Sequence, residues 1–305
     1  MIRDLRTSQW RSASPPASRS LAFAREDIVR TGAAPTGIAN PNSDRALTIA
    51  VTAPSAITCK RGLAANLAVH LAAQVAREGS SVCVVDADLE SRDVGIRFDV
   101  AGPTLLDIAN DLGVRDGRVG LSERIACIDP PGLHVLPTRL PQSALVPLLH
   151  TKTSTVLARL QTAFDFVVID APVAVGLGTY DWERTLLRQV DVLLVAVTAE
   201  ASALGSVLRY LNGLASAKNT GALPSTFEAH VVLTGRDDDG SRSLLTERDI
   251  ERKLSGIPVV ASVPQLWGRQ RPETPLDLDF HAGLGREFAT LIDRVVPDAR
   301  SPRSR

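Results

Sequence analysis

Neither sign of charge is in excess in this chain: 34 Lys and Arg residues are matched by 34 Asp and Glu, and the isoelectric point is near 7.0. Such a balance supplies no global attraction to nucleic acid or to an anionic membrane, so only a local patch could do so. Cysteine is scarce. Cys59, Cys83 and Cys127 are odd in number and lack the close spacing of zinc ligands. That pattern leads us to expect reduced, mostly buried thiols in a cytosolic protein. The five histidines, His70, His134 and His230 among them, show no ligand spacing either. No run approaches the roughly 18 apolar residues that a membrane-spanning helix needs. The first ten residues carry Arg3, Asp4 and Arg6 instead of the apolar stretch of a signal peptide. Internal repeats are absent. What is present is 305 residues, 44% hydrophobic and 22% charged, enough to bury a large core.

The pattern along the chain divides it into an arm over 1–45, rich in Ser, Pro, Ala and Arg, one domain over 46–297, and a short basic tail over 298–305. The arm is too polar to bury enough surface to order itself, although its segment Leu21–Val29 could form a helix in a partner's groove. In the domain, short apolar runs alternate with helical periodicity. The expected strands are Leu47–Thr52, Ser81–Asp86, Leu133–Leu136, Phe166–Asp170, Val192–Val197, His230–Thr234 and Val259–Val263. Their near-continuous Val, Ile and Leu content suits strands covered on both faces. The expected helices are 62–77, 104–112, 153–164, 181–189, 202–217, 244–254 and 285–296. In the first, Leu63, Leu67, Leu71 and Val75 fall on one face, and Gly79 follows as a stop. The fold class is therefore α/β, a doubly wound, mostly parallel sheet flanked by helices.

Three motifs fall at the C-terminal ends of strands, the edge where such sheets place ligands. Ser55-Ala56-Ile57-Thr58-Cys59-Lys60-Arg61-Gly62 lies between the first strand and first helix, where a phosphate-binding loop belongs. Val82-Cys83-Val84-Val85-Asp86-Ala87-Asp88 and Phe166-Val167-Val168-Ile169-Asp170-Ala171-Pro172 each end a strand in aspartate. Aspartates there suit magnesium beside phosphate oxygens, whereas each alone is as readily a cap or turn residue.

In these residues the chain resembles the MinD/ParA family of P-loop ATPases, the SIMIBI class, including its CpaE/TadZ-like branch. The resemblance covers about Arg45 to Val296. It rests on Val51-Thr52-Ala53-Pro54 and the loop after it, on Leu63-Ala64-Ala65-Asn66-Leu67-Ala68, and on Val85-Asp86-Ala87-Asp88-Leu89 with Asp93–Phe98. The stretches Phe164–Pro172 and Asp191–Val195 complete it. The resemblance implies a P-loop fold with ATP and magnesium as cofactors. It implies that 55–62 wraps phosphates, that Lys60 contacts them, that Asp86 and Asp170 serve the metal, and that Asp88 orients the attacking water.

The chain departs from the family pattern at several points. Ser55 replaces the lysine that, in the family, reaches across a dimer. Ala56, Ile57 and Cys59 replace glycines, and each added Cβ crowds the approach of backbone to phosphate. Arg61 stands where a hydroxyl would ligate magnesium, and a guanidinium is a donor that cannot coordinate a cation. Thr234 or Gly235 takes the place of an adenine-reading asparagine, while Pro264 keeps the proline of the base-side loop. Read alone, Lys60 is equally a solvated lysine at a helix start.

These losses point to ATP and magnesium held weakly or not at all, and to weak or absent hydrolysis. Without a metal, Asp86, Asp88 and Asp170 need another cation. Arg61, with Lys60, is the expected one, paired to Asp170 or Asp86. Trp267-Gly268-Arg269-Gln270-Arg271 suggests a nucleic-acid contact but equally a solvated loop, and Asp237-Asp238-Asp239-Gly240 lacks the glutamate of a calcium loop. The last helix, with Phe288, Leu291, Ile292, Val295 and Val296, reads as core packing in preference to membrane binding.

The expected role is cytosolic spatial organisation with protein partners: division-site placement, partitioning, or positioning of a pilus or secretion machine. Homodimer formation belongs to the same expectation. The alternatives are an active ATPase with a rewired loop and, more weakly, a DNA binder.

Overall fold

The computed structural model describes residues 45–54, 60, 62–88, 93–111, 120–138, 146–173, 185–198, 201–236, 247–254, 257, 259–264 and 285–296, all within one compact unit. Eight strands form one sheet in the order β3-β4-β2-β5-β1-β6-β7-β8. In chain order they are β1 (Leu47–Thr52), β2 (Val82–Asp86), β3 (Ala126–Ile128), β4 (Leu133–Leu136), β5 (Phe166–Asp170), β6 (Val192–Thr198), β7 (Glu228–Arg236) and β8 (Val259–Pro264). All neighbours are parallel except β3 and β4, which pair antiparallel. The helices are α1 (Leu63–Val75), α2 (Asp93–Arg97), α3 (Leu105–Asp111), α4 (Leu121–Arg124), α5 (Val146–Ala163), α6 (Ala201–Asn219), α7 (Glu247–Lys253) and α8 (Gly285–Val295).

The expected strands are all present, with ends shifted by two residues or fewer. Their near-continuous apolar character follows from two-sided burial. Along β1, Leu47, Ile49 and Val51 join one core cluster while Ala50 joins the other; along β2, Val82 and Val84 oppose Cys83 and Val85. Strand β5 splits the same way, Phe166 and Val168 against Val167 and Ile169. α1 and α8 cover the first face, whereas α3, α5 and α6 cover the second. This is a doubly wound sheet, each face of which removes apolar area from water.

α1 buries Leu63, Leu67, Leu71 and Val75, as their spacing requires, and a short 3₁₀ turn leads to Gly79 at φ 68°, whose N–H donates to the Ala76 carbonyl. That left-handed residue stops the helix. α8 is core: Phe288, Leu291, Ile292 and Val295 are buried, and the Phe288 ring stacks on His70 at 4.8 Å. Two expectations need correction. Cys83 is buried but Cys127 is exposed, because β3 is an edge strand. β3 itself, α2 and α4 were not expected; each is five residues or shorter and shows too little periodicity to read.

Candidate functional site

β2 and β5 are adjacent and parallel, and their register sets Asp86 opposite Asp170 at the C-terminal end of the sheet. Alternation puts both positions in phase with Val84 and Val168, on the face that α1 covers. Asp86, Asp88 and Asp170 are all buried.

Lys60 fills this place. It is 3% exposed, and its ammonium donates to Asp170 Oδ1 at 2.8 Å, to Asp88 Oδ2 at 2.9 Å and to the Ala171 carbonyl. An ammonium has three N–H donors, and here three acceptors meet them. Burial alone would pull the lysine pKa down. The charges of Asp170 and Asp88, and the hydrogen bonds to them, outweigh that, so it stands above the ordinary lysine value. Lys60 is thus held as a cation.

Of the two cations expected here, Lys60 lies between the carboxylates, and its partners are Asp170 and Asp88, with Asp86 alongside in register. A lysine stem is long enough to reach back under α1. Arg61 itself, with Ser55, Ala56, Ile57, Thr58 and Cys59, lies outside the described residues, as do 237–240 and 267–271. Thr234, two residues before the end of β7, and Pro264, the last residue of β8, lie toward the same edge of the sheet. The Thr234 hydroxyl donates to the Val197 carbonyl at 3.3 Å, so its proton serves the sheet.

The site contains one residue for which the sequence suggested no role. Arg97, at the end of α2, is 4% exposed, and its guanidinium lies against Gly62. A Cβ built on Gly62 would stand 3.0 Å from Cζ and 3.2 Å from both terminal nitrogens of Arg97. Gly62 has φ 77° and immediately precedes α1. Its carbonyl accepts from the Asn66 backbone N–H at 2.9 Å and from Asn66 Nδ2 at 2.7 Å. The one signal in sequence was a glycine opening a helix where a side chain would be ordinary.

Magnesium requires several oxygen ligands in near-octahedral array. Asp88 and Asp170 each give an oxygen to Lys60, the residue after Lys60 is an arginine, and a second cation, Arg97, lies at the start of α1. Among the described residues no three His, Cys, Asp or Glu side chains are grouped so as to hold a metal ion. The residues as arranged do not fit that ion. A concavity of about 750 Å³ beside β3, lined by Ser81, Arg124, Cys127 and His134, lies at the opposite end of the strands and is separate from this site.

A doubly wound parallel sheet with a lysine-bearing loop before α1 and aspartates at the ends of β2 and β5 defines the class: an α/β fold of the P-loop NTPase type. Within that class the chain has the fold of the MinD/ParA ATPases. It is 23% identical over 242 residues, 75% of this chain and 82% of the other, to the septum site-determining protein MinD of Thermotoga maritima. It superposes on MinD of Pyrococcus horikoshii complexed with Mg-ADP with a TM-score of 0.60 at 18% identity, covering 85% of this chain and 99% of that one. For a ParA family ATPase from Chlorobium tepidum the TM-score is 0.59 at 17% identity, covering 84% and 98%. No family profile matches the chain.

Proposed function

We propose that this protein is a MinD/ParA-like spatial regulator or scaffold whose ATP site is degenerate, binding nucleotide weakly or not at all and hydrolysing little or none. The observation that carries the reading is the buried contact of Lys60 with Asp88, Asp170 and the Ala171 carbonyl. To meet a phosphate, Lys60 must leave two buried carboxylates, and uncovering buried charge costs several kcal/mol, about 3–5 when one partner of a pair is removed outright. The loop supplies little to repay that. Ala56, Ile57 and Cys59 carry Cβ atoms where a cradle needs bare backbone, and Arg61 brings no metal-binding oxygen.

On this reading the protein works in the cytoplasm by binding protein partners in division-site placement, partitioning or the positioning of a pilus or secretion machine. A homodimer fits the same role. Among the described residues no helix is long and apolar enough to cross a membrane. DNA binding has the least support, because the net charge is zero.

A second reading, an active ATPase with a rewired loop, draws on the gathering of Lys60, Asp86, Asp88 and Asp170 at one sheet edge, and on the similar Pyrococcus horikoshii MinD complexed with Mg-ADP. Calorimetric titration with ATP and magnesium, paired with phosphate release, separates the two. Millimolar or undetectable affinity without turnover is the expected outcome. Micromolar binding, with turnover abolished by Asp170→Asn, would establish the enzyme and overturn the scaffold.

A further inference from the structure

We propose that Lys60 is the resident cation of this site, standing in for a divalent metal between Asp88 and Asp170, so that the site takes its shape without magnesium and excludes it. The inference rests on reading the site as a degenerate nucleotide site, and it adds a statement about which cation that site holds.

Two carboxylates on a sheet edge need a positive charge, and the structure supplies one covalently. The ammonium is a compact point charge with three donors, and Asp88 Oδ2, Asp170 Oδ1 and the Ala171 carbonyl take one each. A magnesium ion entering here must expel a buried ammonium and then find further oxygen ligands. A second cation opposes it: the buried Arg97 guanidinium lies against Gly62, two residues along the chain. A further positive charge on this side of the sheet adds to the cost of bringing in a divalent ion. The chain has only four lysines, Lys60, Lys152, Lys218 and Lys253, among its 34 basic residues. Lys218 and Lys253 are exposed, so Lys60 is set apart from them by burial.

The scarcity of lysine makes the test direct. The full-length protein is labelled with an amine-reactive reagent in EDTA and in millimolar magnesium chloride, and modification of each lysine is followed by peptide mass spectrometry. Lys60 is expected to react far more slowly than Lys253, by about tenfold or more, and at the same rate in both solutions. Magnesium-dependent exposure of Lys60 would overturn the proposal. In parallel, Lys60→Met is expected to gain a magnesium-dependent rise in melting temperature that the wild type lacks. A rise of the same size in both proteins, or in neither, also overturns it. Should Lys60→Met fail to fold, the wild-type labelling decides alone.

Phosphate release distinguishes this failure from that of the scaffold reading. Exposure of Lys60 by magnesium without ATP turnover sinks only the resident cation. Turnover that persists in EDTA sinks only the non-hydrolysing scaffold, and turnover that requires magnesium sinks both.

Discussion

Gly62 meets two separate constraints, and each makes its own contribution when a side chain is added. Its φ of 77° lies in the left-handed region, which costs a non-glycine residue about 1–3 kcal/mol. Its missing Cβ leaves room for the Arg97 guanidinium, which would otherwise lie 3.0 Å away. Gly62→Ala is therefore expected to destabilise by about 2–4 kcal/mol in urea unfolding, the sum of backbone strain and displaced arginine. Arg97→Ala removes the second penalty but leaves the first. The double variant should accordingly lose about 0.5–2 kcal/mol less than the two single losses added together. Strict additivity would show that Gly62 and Arg97 do not meet. At this scale the sequence disclosed which residue types gather, Lys60 with Asp86, Asp88 and Asp170, because each ends or follows a strand at one edge. It did not disclose which cation reaches which carboxylate. That depends on the direction in which the chain enters α1, and no local pattern encodes it. Arg97 was hidden for the same reason: it reaches the site through tertiary packing of α2, thirty-five positions from Gly62.

Elements with strong periodicity were legible and weak ones were not. β1, β4 and β5 begin and end where the runs read from the sequence do, since two-sided burial makes most of their residues apolar. β3 has three residues and is half-covered at the sheet edge, so it leaves no run to read. α5 starts at Val146, seven positions before the periodicity suggested, with Pro147 in its first turn, where proline sacrifices no helix hydrogen bond. The starts of strands are tied together by aspartates that also looked family-like in sequence. Asp165, just before β5, accepts from the Ser81 N–H at 2.8 Å and the Ser81 hydroxyl at 2.9 Å, and Asp191, before β6, accepts from the Thr48 N–H at 2.9 Å. α8 is the element whose role divided core packing from membrane contact. Phe288 is fully buried, stacked on His70 of α1, so its removal leaves a cavity at a helix–helix contact. Phe288→Ala is expected to cost about 3–5 kcal/mol in urea unfolding, with the cost depending on how far α1 and α8 can close the gap. A loss under about 1 kcal/mol would show that α8 is not docked on α1 in solution.

For the molecule as a whole, the doubly wound architecture was legible because alternating apolar runs and helices admit few topologies. The strand order and the antiparallel edge were less so, because β3 could not be read. That edge also gives the fold a pH response. His134 on β4 packs against Phe164 with ring centroids 4.9 Å apart, and its Nδ1 is buried without a hydrogen-bond partner. Burial lowers its pKa below the ordinary histidine value, and a hydrogen bond with the Ile125 backbone restores only part of the difference. In the unfolded chain the ring returns to about 6.5. Below that pH the unfolded state takes up a proton that the folded state resists, so stability falls as pH drops, until the folded ring also protonates. One proton of difference corresponds to at most about 1.4 kcal/mol per pH unit. His134→Phe keeps an aromatic ring against Phe164 and removes the proton. Urea unfolding at about pH 7.5 and about pH 5.5 should then show the wild type losing more stability on acidification than the variant does. Equal losses would mean that His134 titrates alike in both states, and that the acid response arises from other groups.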